Sequence, residues 1–295
     1  MGFSVIEGDV TLLAKASVLR VRLDELVMAR GHCSTLKEAQ ALIMAGQVLV
    51  NEERLDKPGM RVRHDSVIRI KGSNIPYVGR GGLKLQAALD RWVIDVEGRV
   101  AIDAGASTGG FTHCLLTRGC ALVYSVDVGF GQLAGRLRQD PRVRNMERTN
   151  ISDVRPEALD PRPSLGVMDL SYLSLSVAVP VVASLLDGDD QGREIVSLVK
   201  PLFEVPASGP GLSREQYRAA LERVCGAGKG TGMGPVRLMA SPVLGSSGTL
   251  EFLALFRPSP TASGPGPEND GMIAAALDEG QAVLEREHIR RSDRT

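Results

Sequence analysis

This 295-residue sequence offers no disulfide framework, no membrane span and no phosphate loop. Its four cysteines, at 33, 114, 120 and 225, form no CxxC pair, so they read as reduced thiols of a cytoplasmic protein. His32-Cys33 and His113-Cys114 have no second pair at ligand spacing, which argues against structural zinc, and no metal is expected. The N-terminus lacks a basic segment leading into an apolar run and a small-residue cleavage site, so no secretion signal is read. The most apolar stretch, residues 173–186, is interrupted by Ser174, Ser176, Pro180 and Ser184. It also falls short of the ~20 residues that span a bilayer, so it reads as a buried helix. Aromatic residues make up 4% of the chain, leaving Val, Leu, Ile and Ala to build the core.

Net charge is zero, but its distribution is uneven. Residues 20–84 hold twelve Lys/Arg against seven Asp/Glu, and the rest of the chain carries the compensating negative excess. A basic head on an acidic body suits nucleic acid bound at one end.

Residues 1–19 show no period and read as an extension. After them, Leu23, Leu26 and Val27 share a helical face that closes at Gly31. A second helix follows Ser34 as N-cap, places Ala39, Leu42 and Ile43 on one face, and stops at Gly46. Residues 47–51 and 67–70 read as strands around a turn at 52–58. Residues 20–73 are thus a small α+β unit, and 74–79, with Pro76, a linker.

From residue 80 to 257 strands and helices alternate. Strands are expected at 100–103, 122–127, 165–169, 195–200, 236–241 and 250–256. Helical segments separate the first four, which indicates an α/β fold with a mostly parallel sheet. The last two are joined by a short glycine-rich turn and should pair antiparallel. Residues 258–271 have linker composition, and 272–295 read as an isolated charged helix or a disordered tail.

Residues 103–111, DAGASTGGF, end a strand and open a helix. Asp103 closes the strand, and Gly105, Gly109 and Gly110 permit a tight turn and close backbone approach to a ligand. Ser107 breaks a dinucleotide GxGxxG, and Phe111 stands where a phosphate loop needs Lys. What remains is a turn suited to a ligand with a carboxylate and a nucleoside. Asp127, ending the next strand, is spaced to hold ribose hydroxyls. Asn150 reads either as a contact to an adenine edge or as a local backbone cap.

Asp169 and Lys200 fall at the carboxyl ends of the next strands, where ligands bind in doubly wound sheets. Lys84 precedes the first strand, and Glu251 lies near the start of the last. Such a set fits methylation of a ribose 2′-hydroxyl, which must lose its proton before an in-line attack. Lysine is a weak base at its reference pKa of ~10.4, but desolvation and a neighbouring cation lower that value. Lys84 would be that cation for Lys200, with Asp169 and Glu251 orienting both amines.

These motifs carry a family resemblance. RLDEL at 22–26, Ser34, residues 39–43 and AGQVLVN at 45–51 resemble the RNA-binding domain shared with ribosomal protein S-four. GGLK at 81–84, the 103–111 loop, MDLS at 168–171, KPLFE at 200–204 and GTLE at 248–251 resemble the TlyA family, grouped with FtsJ-like ribose methyltransferases.

The resemblance implies a Rossmann-like class I methyltransferase sheet and S-adenosylmethionine as cofactor. It implies 2′-O-methylation of cytidine in ribosomal RNA and a Lys-Asp-Lys-Glu tetrad, here Lys84, Asp169, Lys200 and Glu251. Arg22, Arg30, Ser34, Lys37 and Lys57 are then set against RNA, with ribosomal subunits as partners, no membrane, and a monomeric chain. Thr35 departs from the Arg usual in that domain, and 75–78 lack the Arg and Trp of one branch.

The family is also labelled haemolysin A-like, which raises a membrane-active protein as one alternative. A non-catalytic RNA-binding protein is the other. Against the first stand the missing span, basic amphipathic helix and secretion signal. Against the second stand the glycine turn and all four charged positions.

Overall fold

The computed structural model describes residues 19–30, 32–33, 35–71, 76–188, 192–206, 211–245, 248–259 and 267–292. The basic head forms a module of short elements: β1 (Arg20–Arg22), α1 (Leu23–Ala29), α2 (Leu36–Met44), β2 (Val48–Val50), β3 (Glu53–Arg54), β4 (Arg61–Arg63) and β5 (Ile68–Ile70). Strand β2 pairs antiparallel with both β3 and β5, and β1 pairs antiparallel with β4.

The helical spacing holds: Leu23, Leu26 and Val27 of α1 meet Ala39 and Ile43 of α2 in one buried cluster with Val48, Val50, Val62, Ile68 and Ile70. Asp24 and Glu25 lie in the first turn of α1, where the helix dipole favours negative charge. The N-cap of α2 is Thr35, whose side chain accepts from the Glu38 amide, and not Ser34 as the sequence suggested. Ser34 itself lies outside the described residues. Gly46, at φ +65°, takes the left-handed position that ends α2. Strands β1, β3 and β4 are missing from the sequence reading because two or three residues, mostly exposed and charged, display no period.

The larger body contains α3 (Gly81–Trp92), β6 (Val100–Ala104), α4 (Gly110–Thr117), β7 (Leu122–Asp127), α5 (Gly135–Arg138), β8 (Val143–Glu147) and β9 (Leu165–Met168). It continues with α6 (Leu175–Leu185), β10 (Glu194–Val199), α7 (Arg214–Cys225), β11 (Met233–Ala240), β12 (Phe252–Pro258) and α8 (Pro267–Ser292). Seven strands form one sheet in the order β11-β12-β10-β9-β6-β7-β8. Strands β10, β9, β6, β7 and β8 run parallel, and β12 runs antiparallel to both its neighbours. The expected α/β sheet with an antiparallel last strand is therefore present. Strand β8 was not expected, because in VRNME only Val143 is buried.

Strand order reverses at β6, whose neighbours are β7 and β9. That switch opens a crevice beyond the carboxyl ends of β6 and β9, which sets where a ligand can enter.

Two segments differ from their sequence reading. Of the linker, Tyr77 is buried and its ring meets His113 edge-on at 5.6 Å, so residues 76–79 belong to the packed body. The tail is not isolated: Ile273, Ala276, Leu277 and Val283 of α8 are buried in the main core. Gly280 lets α8 sit down on the start of β12, since a Cβ there would lie 2.6 Å from Leu250 Cδ2. The short apolar stripe at 273, 276 and 277 is helical in period but hidden among charges.

Candidate active site

The carboxyl end of β6 leads into the 103–111 loop. Gly105 takes φ +85°, and a Cβ on it would stand 2.5 Å from the Asp169 carbonyl oxygen, so the loop lies directly against the end of β9. Gly110 lets α4 approach the start of α3, because its Cβ would meet the Gly82 nitrogen at 3.0 Å. Gly109, at φ +93°, faces Leu137 and Leu133 instead, and so serves packing of α4 against α5.

Ser107, itself at φ +47°, donates its amide to Asp127 Oδ2 at 2.7 Å, and its hydroxyl to Gln132 Oε1 at 3.2 Å. Asp127 Oδ1 accepts from the Gly129 amide at 2.6 Å. Asp127 thereby joins two loops just behind Ser107 of the crevice wall, without lining the wall itself, and lone pairs of both oxygens are left over.

Asp103 is wholly buried, and its Oδ2 accepts from the Thr112 amide and hydroxyl at 2.9 and 2.6 Å. It clamps the start of α4 and does not line the crevice, which corrects its assignment as a direct ligand contact. Its Oδ1 is buried without a partner. Burial, opposed by the bonds from Thr112, pushes its carboxyl up to about 7. Asn150 caps a 3-10 turn, its side chain accepting from the Ser152 amide at 3.0 Å, and it too is absent from the crevice wall. The local alternative is the one seen.

Lys84, Asp169, Lys200 and Glu251 all line one cleft, shared with Gly105, Ser107, Gly110 and Phe111 of the loop. They arrive from the first turn of α3, the end of β9, the end of β10 and the residue before β12. The four charges sort into two pairs. Lys84 Nζ donates to Glu251 Oε2, and both side chains are under a tenth exposed. Lys200 Nζ lies 2.7 Å from Asp169 Oδ1 and donates to Ser171 Oγ at 2.6 Å, in a more open position. Burial raises the Glu251 carboxyl; the Lys84 amine acts against it, and the charges of Asp169 and Lys200 are also felt there. Gly245 leaves room for Glu251, since a Cβ there would meet Oε1 at 2.6 Å.

Ser171 was missed as a partner of Lys200, although it closes the MDLS motif. Nor did the sequence show that Ala29, Arg30, Gly79, Arg80, Gly81 and Thr108 complete the cleft, since helical period says nothing of which module touches which.

The residues set against RNA divide. Lys37 and Lys57 are exposed, as that role requires. Arg22 pairs with Asp24 at 2.7 Å and approaches Glu25 at 3.8 Å inside its own module. Arg30 is 8% exposed and donates to the His64 and Gln132 carbonyls, at 2.6 and 2.9 Å. Its guanidinium is spent on those two carbonyls, although the residue lies in the wall of the cleft.

A mostly parallel sheet with a glycine cradle at its switch point and two lysine–carboxylate pairs beside it defines a nucleoside-binding group-transfer enzyme. The FtsJ-like methyltransferase family matches residues 77–256 and the S4 domain family matches 21–68, and the chain belongs to the FtsJ-like methyltransferases. It is 40% identical over 244 residues to the 16S/23S rRNA (cytidine-2′-O)-methyltransferase TlyA of Mycobacterium tuberculosis, covering 81% of this chain and 90% of that one. It is 35% identical to Hemolysin A of Brachyspira hyodysenteriae over 80% of this chain and 99% of that one. A solved structure from Streptococcus thermophilus, also named as a hemolysin, superposes with a TM-score of 0.78 at 34% identity, covering 92% of this chain and 99% of its own. Among the described residues, no helix is long and apolar enough to cross a membrane.

Proposed function

We propose that this chain transfers a methyl group from S-adenosylmethionine to the 2′-hydroxyl of a cytidine in ribosomal RNA. The observation that carries the reading is the meeting of Lys84, Asp169, Lys200 and Glu251, from four separated segments, in the cleft that the glycine loop borders. The TlyA relative, named for this activity on both ribosomal RNAs, supports the substrate, and the S4 match supports RNA delivery.

The cradle fits the cofactor. Gly105 and Gly110 hold the loop tight against β9 and α3 at the cleft wall, and Asp127 retains acceptor capacity for two ribose hydroxyls. When bound, the cofactor supplies a methyl group on a sulfonium. The protein's work is then to place the hydroxyl in line and remove its proton.

Lys200, the more open amine, takes the 2′-hydroxyl proton at Nζ in its uncharged form. Asp169 and Ser171 fix where that amine points. Lys84 and Glu251 form the buried floor beside that pair. Low exposure around this floor keeps water from competing with the hydroxyl.

The reading is tested by incubating unmodified ribosomal subunits with labelled S-adenosylmethionine and mapping the modified nucleotide. A 2′-O-methylcytidine at one position per subunit is the expected product. Label on a base, or none on either subunit, overturns the proposal.

A further inference from the structure

Arg30 ends α1 of the N-terminal module, yet its guanidinium bonds to a carbonyl of the catalytic body. One terminal nitrogen donates to His64 O, just past β4, and the other to Gln132 O, between β7 and α5. Gln132 is itself fixed from behind. Its amide and that of Leu133 donate to Glu147 Oε1, its side chain accepts from the Ser107 hydroxyl, and Ala134 donates to the Thr108 carbonyl. Two independent parts of the module, the end of α1 and the turn after β4, are thus tied by one side chain to the segment that supports the cofactor loop. The guanidinium is buried, so each carbonyl replaces water that it has lost, and a neutral side chain would leave both acceptors unpaired.

We infer that Arg30 is a positioning residue: it fixes the angle at which the RNA-binding module meets the catalytic cleft, and does not itself hold RNA. The module grips RNA through exposed residues such as Lys37 and Lys57, while Arg30 sets where the strand arrives. This inference rests on the proposed RNA methylation, and it reassigns a residue whose sequence position suggested a phosphate contact. An RNA phosphate reader would keep its guanidinium in solvent and contribute to the salt dependence of binding. Arg30 is aimed instead at two carbonyls that belong to different parts of the fold.

The test compares full-length parent, Arg30→Ala and Arg30→Lys. Cofactor affinity and affinity for an unmodified ribosomal RNA fragment are expected to stay within about threefold of the parent, with the salt slope of RNA binding unchanged. Single-turnover methylation at saturating RNA should fall at least tenfold in Arg30→Ala and recover in part in Arg30→Lys, which keeps one donor. Spin labels at Met44→Cys and Val177→Cys, both exposed positions in the two bodies, should show one narrow distance in the parent and a broad distribution in Arg30→Ala. If Arg30→Ala does not fold, Arg30→Lys is read by the same distance measurement, again with broadening expected. A salt slope reduced by about one contact makes Arg30 a phosphate ligand and overturns the inference. A large loss of cofactor affinity, or an unbroadened distance, overturns it equally. Absence of methylation by the parent would overturn the proposed function instead, leaving the distance measurement to decide on the tie.

Discussion

The two ends of the cleft are built on different principles. At the loop end, Gly105, Ser107 and Gly110 work through backbone, with left-handed turns and a missing Cβ where two segments nearly touch, and the Asp127 carboxylate behind them accepts the loop's amides. At the charged end, Lys84, Asp169, Lys200 and Glu251 work through side chains brought from strands and helices far apart in sequence. On the proposed function, the first end recognises the cofactor and the second supplies the proton acceptor. Binding and chemistry should therefore separate when either end is altered.

The largest expected effect is at the charged end. Lys200→Ala should lower single-turnover methylation by about 10²–10⁴-fold, the range usual for loss of a general base, while cofactor affinity measured by calorimetry stays within a few-fold. A joint loss of both would mean that the two ends are not separable.

A second expectation concerns Asp103, beneath the loop. Its carboxyl titrates at about 7 in the folded chain, against about 3.9 when unfolded. Between those values the folded state holds a proton that the unfolded state has released. The contribution of this group is thus most favourable below about pH 4, falls as pH rises, and is level above about 7. Asp103→Asn removes the titration. Relative to the parent, the variant should gain about 2–3 kcal/mol between pH 5 and pH 8, read from urea unfolding at each pH. A constant difference between the two proteins would contradict the assignment.

At the loop end, Asp127→Ala should weaken cofactor binding by about 1.5–3 kcal/mol, since a charged acceptor of hydrogen bonds is lost. The methylation rate at saturating cofactor should change less. Gly109→Ala gives the smallest binding effect. Its added methyl points at Leu133 and Leu137, so stability should drop by about 1–3 kcal/mol while cofactor affinity in the folded protein is nearly kept. If instead Gly109→Ala abolishes binding without loss of stability, Gly109 belongs to the cradle after all.

Legibility in the sequence followed the same division. The sheet and its last antiparallel strand were readable because buried strands and intervening helices leave strong periods. Three of the four charged positions were readable because each closes or borders a strand, and Lys84, in the first turn of α3, through its motif at 81–84. The roles of Asp103, Gly109 and Asn150 were not, since a loop's sequence does not say which way each residue faces. Nor were the packed tail and the inward turn of Arg30, because both depend on contacts between segments far apart in the chain. Strand β8 and the two-residue β3 were too short or too polar to announce themselves.

The dependence of single-turnover methylation on pH tests the central claim most directly. With methyl transfer limiting the rate, the account expects the parent rate to climb as pH is raised, because Lys200 can accept the 2′-hydroxyl proton only when its own amine is uncharged. A rate indifferent to pH under those conditions would contradict a lysine base in this cleft.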